Sequence, residues 1–179
     1  LIVGIATPAA QAAYNAAKDQ GIPTLFTAVT DPILAGLQQE DGSNLDGVTG
    51  TSDALPVDAQ LQLMRAFFPE AKNVGILYSL SESNSLSSIE TYKELAAKYA
   101  FTIVTEGVSE ASIIPAATDS LLQKVDVLTN LTDNMVVDNM PVVLKKANEL
   151  GIPLFGSEEE QVKNGAIAAE GLDYVELGR

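Results

Sequence analysis

The side chains best suited to bind a small molecule are hydroxyl, amide and carboxylate groups that follow apolar segments of the chain. Thr7, Thr30 and Ser157 each come after such a segment, and groups rich in serine, asparagine and aspartate follow two others. These groups donate and accept hydrogen bonds, and a helix that begins beside them adds free N–H groups that favour an anion. The candidate ligand-binding residues selected in this way are Thr7, Ala9, Thr30, Asp31, Ser83, Asn84, Ser85, Asp133, Asn134 and Ser157.

The segment from Thr7 to Ala10 is the first candidate for an anion site. Thr7 suits the N-cap of a helix and Pro8 its first position. The N–H groups of Ala9 and Ala10 would then remain free at the positive end of the helix dipole. Small side chains would let a carboxylate or a phosphate come close, although an ordinary capped helix explains the same residues equally well.

The other polar groups have both a structural and a ligand-binding interpretation. The carboxylate of Asp133 would cap a helix or, at the mouth of a cleft, hold an ammonium group. Asp31 precedes a proline and is first a turn-and-cap residue. Ser157 and Glu160 match a capping box, so helix capping is the preferred interpretation there. Residues 83–85 would cap the following helix and donate hydrogen bonds to a ligand.

The composition excludes most catalytic and metal-binding chemistry. The 179 residues include no histidine and no cysteine, which removes the commonest general base, the commonest metal ligand and every thiol nucleophile. The net charge of −14 would repel a phosphate backbone, so nucleic acid is not expected as a partner. The three glutamates at 158–160 point in different directions on a helix and are not expected to hold a metal. We predict a binding protein without a cofactor rather than an enzyme.

Short apolar runs alternate with helical patterns along the chain, which is typical of βαβ units and a parallel sheet. The clearest helix covers 84–99, where Leu86, Ile89, Tyr92 and Ala96 fall on one face. The predicted strands are residues 1–5, 22–29, 74–79, 101–105, 125–129, 152–155 and 166–169. The predicted helices are residues 8–19, 32–38, 57–68, 84–99, 111–123, 134–150 and 158–163.

Two features predict a chain built from two similar halves. The tripeptide Gly-Ile-Pro occurs at 21–23 and again at 151–153, each time between a predicted helix and a predicted strand. Residues 40–58 are the least regular stretch, rich in glycine, serine, asparagine and aspartate, as expected for a crossover between two lobes. A single domain with one long surface loop is the alternative.

Six short motifs follow one another along the chain and carry a family resemblance. They are GIATPAAQ at 4–11, FTAVTDP at 26–32, GVTG at 47–50, VGILYS at 74–79, TDN at 132–134 and GLDY at 171–174. Together they resemble the ABC-transporter substrate-binding protein family that includes tryptophan- and tyrosine-binding lipoproteins. The resemblance covers nearly the whole chain and implies a type I periplasmic-binding-protein fold: an α/β architecture of two lobes with doubly wound parallel sheets, the first lobe incomplete in this chain.

The resemblance also implies how the chain is divided. Residues 1–46 would be the remainder of lobe one, 47–56 a hinge crossover, 57–166 lobe two and 167–179 a return towards lobe one. The candidate residues would face the cleft from lobe one (Thr7, Ala9, Thr30, Asp31) and from lobe two (Ser83, Asn84, Ser85, Asp133, Asn134, Ser157), with Asp173 at the hinge.

The function implied is that of the extracytoplasmic solute-binding component of an ABC importer, which closes over an amino acid-like ligand, with an aromatic amino acid favoured. The carboxylate of the ligand would take N–H groups at a helix N-terminus, and its ammonium group would pair with Asp133 or Asp31. The permease subunits would be the protein's partners, and a monomer is expected. The signal segment and the lipoprotein anchor are expected outside this sequence. The alternative is the ligand-sensing domain of a transcription regulator with the same fold.

Overall fold

Parallel strand pairing builds two separate sheets in the computed structural model, which describes residues 1–178. The first sheet contains β1 (Ile2–Ile5), β2 (Thr24–Val29) and β3 (Val48–Ser52), paired in that order. Helix α1 (Thr7–Ala17) and a 3₁₀ turn at Lys18–Gln20 connect β1 to β2. This sheet and its helix form lobe one.

From Val57 onwards, the described chain forms lobe two and a short return segment. Its strands are β4 (Asn73–Ser79), β5 (Thr102–Val108), β6 (Val127–Thr129), β7 (Leu154–Gly156) and β8 (Ala168–Ala169), in the spatial order β5-β4-β6-β7-β8. Its helices are α2 (Val57–Phe67), α3 (Ser83–Ala96), α4 (Ile114–Leu122), α5 (Asn134–Asp138), α6 (Met140–Leu150), α7 (Glu159–Lys163) and, after β8, α8 (Tyr174–Leu177). Two 3₁₀ turns lie at Ala97–Tyr99 and Ala111–Ile113. The parallel sheets and their crossover helices confirm the predicted α/β class.

Each face of the second sheet is covered by its own apolar cluster. Along β4, Val74 and Ile76 belong to one cluster and Leu77 to the other, because successive side chains of a strand point to opposite faces. Tyr92 of α3 is fully buried in the first of these clusters. Leu86, predicted for the same helix face, is 44% exposed. A third and smaller cluster lies in lobe one.

The predicted helix over 32–38 is wrong, because the chain turns back after a single helical turn. Gly36 adopts a left-handed φ of 72°, which ends helical hydrogen bonding at that point. The N–H of Leu37 then donates to the carbonyl of Pro32 over 2.8 Å. The segment is therefore a series of turns at the edge of lobe one.

The predicted helix over 134–150 is two helices that meet at Asn139. Pro141 has no N–H to donate and its ring crowds the carbonyl four residues earlier, so α5 ends and α6 begins there. The remaining predicted helices and all of the predicted strands are present, with ends that differ by a few residues.

Strand β3 is absent from the prediction, which assigned residues 47–56 to a hinge crossover. Its burial pattern explains the error: only Val48 of the five strand residues is buried, so no apolar alternation marks the strand. The predicted crossover therefore contains the last strand of the first sheet. Within residues 1–178, no helix is both long enough and apolar enough to cross a membrane.

Candidate functional site

The ends of strands from both sheets surround a cavity of about 260 Å³ between the lobes. Open α/β sheets bind ligands beyond the carboxyl ends of their strands, so this position fits a binding site. Its volume lies below the roughly 300–1,000 Å³ of pockets for drug-sized ligands, which suits a small metabolite. The walls are formed by Ile5, Ala6, Thr7, Ala28, Thr30 and Asp53 of lobe one, by Asn84, Thr132, Asn134, Val137, Ser157, Glu158 and Gln161 of lobe two, and by Tyr174.

Asp53 supplies a buried carboxylate to the lobe-one wall. It directly follows β3 and is only 3% exposed. Its Oδ1 accepts a hydrogen bond from the Thr30 hydroxyl and its Oδ2 one from the Tyr174 hydroxyl, each over 2.9 Å. Burial and the negative charges of Asp53 and Glu158 raise the pKa of Tyr174, which keeps its hydroxyl a donor. None of the ion pairs formed by residues 1–178 includes Asp53.

A chain of hydrogen bonds extends this wall from lobe one to lobe two. The hydroxyl oxygens of Thr30 and Thr132 are 3.1 Å apart. The carbonyl of Thr132 accepts a hydrogen bond from Nδ2 of Asn84 over 3.0 Å. The wall is therefore continuous only when the two lobes are in contact.

Two residues of the cavity wall each have a buried polar atom with no hydrogen-bond partner among the described residues. The atoms are Oγ1 of Thr7 and Oδ1 of Asn84, whose residues are 2% and 3% exposed. Nearly all buried polar atoms in proteins are hydrogen-bonded, so this pair favours a ligand with polar groups. Because Nδ2 of Asn84 already donates to Thr132, the free amide atom is an acceptor.

Backbone strain is concentrated at the same cavity. Ala6 has φ 65° and ψ 158°, a region that is almost restricted to glycine and costs about 1–3 kcal/mol. Ala28 has φ 54° and lies where the register between β2 and β3 shifts, between Phe26 and Val29. Both alanines line the cavity, and strain of this kind is common at binding sites.

The N-terminus of α1 differs in detail from the prediction. Ala6 is the N-cap and Thr7 is already the first helical residue. The N–H of Ala10 donates to the carbonyl of Ala6 over 3.0 Å, so it is not free for an anion. Within the described chain, no such backbone bond uses the N–H of Thr7 or of Ala9. Ala9 is exposed beside the cavity rather than on its wall.

Ser157 lines the cavity but does not form the predicted capping box with Glu160. The N-cap of α7 is Glu158. Gln161 takes the capping role, because its Oε1 accepts from the N–H of Ser157 over 3.0 Å. Its Nε2 lies 3.2 Å from the Ser157 hydroxyl oxygen. This amide side chain therefore positions Ser157.

The structure does not bring Asp133 or Ser85 to the cavity wall. Asp133 is fully buried, and its carboxylate accepts from the N–H of Ser79, the hydroxyl of Ser85 and the N–H of Val136, at 2.7, 2.6 and 3.0 Å. Burial raises the pKa of Asp133. The predicted helix cap is confirmed, since Asp133 caps α5. Its oxygens are occupied inside lobe two, which leaves the ammonium role to other acids.

A second buried acid, Glu82, positions Asn134 at the cavity. One oxygen of Glu82 accepts from the backbone N–H and from Nδ2 of Asn134, at 3.1 and 2.7 Å. The other accepts from the N–H of Met135 over 3.1 Å. These contacts tie the start of α5 to the loop before α3. Among residues 1–178, no group of three histidine, cysteine, aspartate or glutamate side chains is placed to hold a metal ion.

The remaining predicted residues lie outside the cavity. Asp31 lines a neighbouring interlobe groove of about 600 Å³, where its Oδ2 accepts from the hydroxyl of Ser87 over 2.7 Å. Its Oδ1 accepts from the N–H of Leu34 over 2.9 Å, which confirms its capping role. The hydroxyl of Ser83 is buried with no partner among the described residues, but it is not on the cavity wall. Asp173 caps α8 through its side chain.

Nine wall residues are missing from the prediction, and three of them take part in the hydrogen-bonded wall: Asp53, Thr132 and Tyr174. Asp53 follows β3, so recognition of that strand would have selected it by its position at a strand end. Thr132 lies in the motif at 132–134 and stands beside the aspartate that was chosen instead. Tyr174 comes after the last strand of the second sheet, where no sequence pattern separates a packing role from a ligand-facing one.

Comparison with known proteins decides the family. The family model described as ABC transporter substrate binding protein matches residues 1–179. This chain belongs to that family. The chain is 46% identical over 178 residues to the tyrosine-binding protein of Clostridioides difficile, a match that covers 99% of this chain and 51% of the relative. It thus spans about half the length of that relative.

Two solved structures are similar to this chain in sequence and in fold. A domain from Streptococcus pneumoniae in complex with L-Trp has a TM-score of 0.91 at 36% identity, with 99% of this chain and 61% of that chain covered. A ligand-free, open substrate binding protein with adhesive properties from Clostridium difficile has a TM-score of 0.69 at 42% identity, with 99% and 60% covered. The fold is that of a type I periplasmic binding protein, as the resemblance implied. The TM-score is thus higher for the L-Trp complex than for the ligand-free, open structure, although the sequence identity is lower.

Proposed function

We propose that the protein carrying this chain is the extracytoplasmic solute-binding component of an ABC importer and that it binds an aromatic amino acid. The observation that carries the proposal is the 260 Å³ cavity, whose walls come from the strand ends of both lobes. Membership of the family supports the transport role. The tyrosine-binding relative and the relative in complex with L-Trp support an aromatic amino acid as the ligand.

The electrostatics of the cavity suit a zwitterion. Asp53 and Glu158 line it, whereas no lysine or arginine of residues 1–178 does, which favours a ligand with a cationic group. The N-terminus of α1 lies at the same cavity and contributes the positive end of a helix dipole and the free N–H of Thr7. An amino acid carries both charges, and each would meet its complement.

The mechanism requires binding and closure but no covalent chemistry. Contacts made by both lobes exist only when the lobes meet, so a ligand in the cavity stabilises the closed arrangement. The Thr30–Thr132 and Asp31–Ser87 hydrogen bonds between the lobes favour the same arrangement. The closed form would present a surface to the permease subunits of the transporter. We infer that the protein acts as a monomer outside the cytoplasm, held at the membrane by a lipid anchor.

Calorimetric titration of the full-length protein with the twenty amino acids tests this function. We expect an aromatic amino acid to bind with a dissociation constant near 1 μM, which is about 8 kcal/mol, and alanine to bind at least tenfold more weakly. Asn84→Ala should abolish binding, because it removes a buried group from the wall. Asn148→Ala, an exposed position on α6, is the matched control. Absence of binding by any aromatic amino acid would refute the proposal.

A further inference from the structure

We propose that Asp53 is the ligand-binding residue that pairs with the ammonium group of the ligand, with the amide oxygen of Asn84 as the second acceptor. The inference rests on the proposed function and deepens it, since it assigns one end of the amino acid to named atoms. Asp53 was not a candidate from the sequence, because the strand that precedes it was not recognised.

Among residues 1–178, no cationic side chain pairs with the carboxylate of Asp53. It is 3% exposed, and both hydrogen bonds to its carboxylate come from neutral hydroxyl groups, those of Thr30 and Tyr174. A buried carboxylate is costly unless it is paired with a positive charge. Each carboxylate oxygen of Asp53 can accept one more hydrogen bond in addition to the one it already accepts. An ammonium group has three donors and no acceptor, so it can use those sites.

Asn84 supplies the second acceptor on the same wall. Asn84 lines the cavity, and its Oδ1 is buried and has no partner among residues 1–178. The hydrogen bonds from Asp53 through Thr30 and Thr132 to Asn84 measure 2.9, 3.1 and 3.0 Å in turn. Two acceptors are thereby connected along one wall that spans both lobes. An ammonium group that contacts both would bridge the lobes and favour closure.

The other acids near the cavity are less suited to this role. Glu158 is partly exposed, also borders an outer surface groove, and accepts a hydrogen bond from Gln161 over 3.2 Å, so solvent screens its charge. Asp133 is fully buried and accepts three hydrogen bonds inside lobe two. Asp31 faces the neighbouring groove.

Tyr174 acts as a positioning residue for Asp53. It belongs to the return segment after β8, and its hydroxyl donates to Oδ2 of Asp53 over 2.9 Å. Thr30 holds the other oxygen, so the plane of the carboxylate is set from two sides. Loss of the Tyr174 hydroxyl should therefore reduce recognition of the ammonium group without removing it.

The test compares a ligand with its analogue that lacks only the amine. We would measure dissociation constants of the full-length protein for L-tyrosine and for 3-(4-hydroxyphenyl)propanoate, and repeat the pair with L-tryptophan and indole-3-propanoate. The wild-type protein should prefer the amino acid by about 30-fold or more. Asp53→Asn should weaken amino-acid binding by about 10- to 100-fold, the effect of a hydrogen bond to a charged group. It should change binding of the amine-free analogue by less than threefold.

Matched variants separate ligand recognition from folding. Asp46→Asn, at an exposed position outside the cavity, should leave both affinities unchanged. Tyr174→Phe should reduce the preference for the amine by about three- to tenfold, and it provides the test if Asp53→Asn does not fold. An equal loss of affinity for both ligands in Asp53→Asn, or an undiminished preference for the amine, would overturn the assignment. Failure of the wild-type protein to bind either amino acid would instead refute the proposed function.

Discussion

The hydrogen bond between Ser87 and Asp31 joins the two lobes, and its removal should open the cleft without unfolding either lobe. The hydroxyl of Ser87, on α3, donates to Oδ2 of Asp31, which lies just after β2, over 2.7 Å. The other oxygen of Asp31 accepts from the N–H of Leu34 within lobe one. Ser87→Ala therefore removes one contact between the lobes and leaves the turn of lobe one in place.

The expected magnitude follows from the charge and the exposure of this pair. A hydrogen bond to a charged group contributes roughly 1.5–3 kcal/mol. Asp31 and Ser87 are both partly exposed, so solvent screening favours the lower end of that range. About 1.4 kcal/mol changes an equilibrium tenfold. Ser87→Ala should thus shift the equilibrium between the closed and open arrangements about tenfold towards the open one. The apparent ligand affinity should fall by up to the same factor if only the closed arrangement binds.

Fluorescence energy transfer between the lobes measures this shift directly. The chain has no cysteine, so cysteines introduced at the exposed positions Gln20 and Glu149 would be the labelling sites within it. Without ligand, Ser87→Ala should increase the open population, and saturating ligand should restore closure. Ser112→Ala is the control, since its hydroxyl donates to Glu110 over 2.7 Å inside lobe two. If energy transfer and ligand affinity are unchanged in Ser87→Ala, or change equally in Ser112→Ala, the Ser87–Asp31 hydrogen bond does not favour closure.

Three further predictions concern stability. Asp133→Asn should lower the free energy of unfolding by about 1–3 kcal/mol, because one carboxylate oxygen becomes an amide nitrogen that cannot accept from Ser79, Ser85 or Val136. It should change ligand affinity less than threefold; thermal melts and calorimetry check both, and a large affinity loss would contradict the site geometry. Ala6→Gly should raise the free energy of unfolding by about 1 kcal/mol, because glycine relieves the backbone strain at this position. Ala9→Gly, inside helix α1, should lower it. Urea unfolding measures both, and a lower free energy of unfolding in both variants would contradict the strain at Ala6. Backbone N–H groups of Asn73 and its neighbour hold the pKa of Asp126 below its usual value, so its stabilising contribution is present above about pH 4 and lost as the pH falls. Asp126→Asn should reduce the loss of unfolding free energy at low pH. If the unfolding free energies of the variant and the wild type fall in parallel as the pH is lowered, Asp126 is not the source of that loss.

The sequence predicts elements reliably where burial leaves a pattern and fails where it does not. The apolar run from Val74 to Leu77 is buried on both faces of its sheet, and it is readily predicted as a strand. Strand β3 is mostly exposed and has no such pattern, so its pairing with β2 cannot be inferred locally. The turn at 32–38 looks helical until the left-handed Gly36 is taken into account.

Some of the candidate residues line the cavity and others do not, because a strand end fixes where a residue lies and not what it contacts. Thr30 and Asn84 were selected from their positions after strands, and both lie on the cavity wall. Asp133 was selected by the same rule, yet its side chain turns into lobe two and is occupied there. Thr132 and Asp133 are adjacent in the chain, yet Thr132 lines the cavity and the side chain of Asp133 is buried inside lobe two.

By itself, the sequence determined that this is an α/β chain without histidine or cysteine, with helix starts and polar groups at the ends of its strands, because periodicity, capping and composition are local properties. Only the tertiary structure decided which polar groups share a wall. Asp53 and Asn84 are far apart in the chain and meet through Thr30 and Thr132, since the two sheets present their strand ends to the same cavity. Contacts between lobes depend on the three-dimensional arrangement of distant segments, which no local pattern encodes.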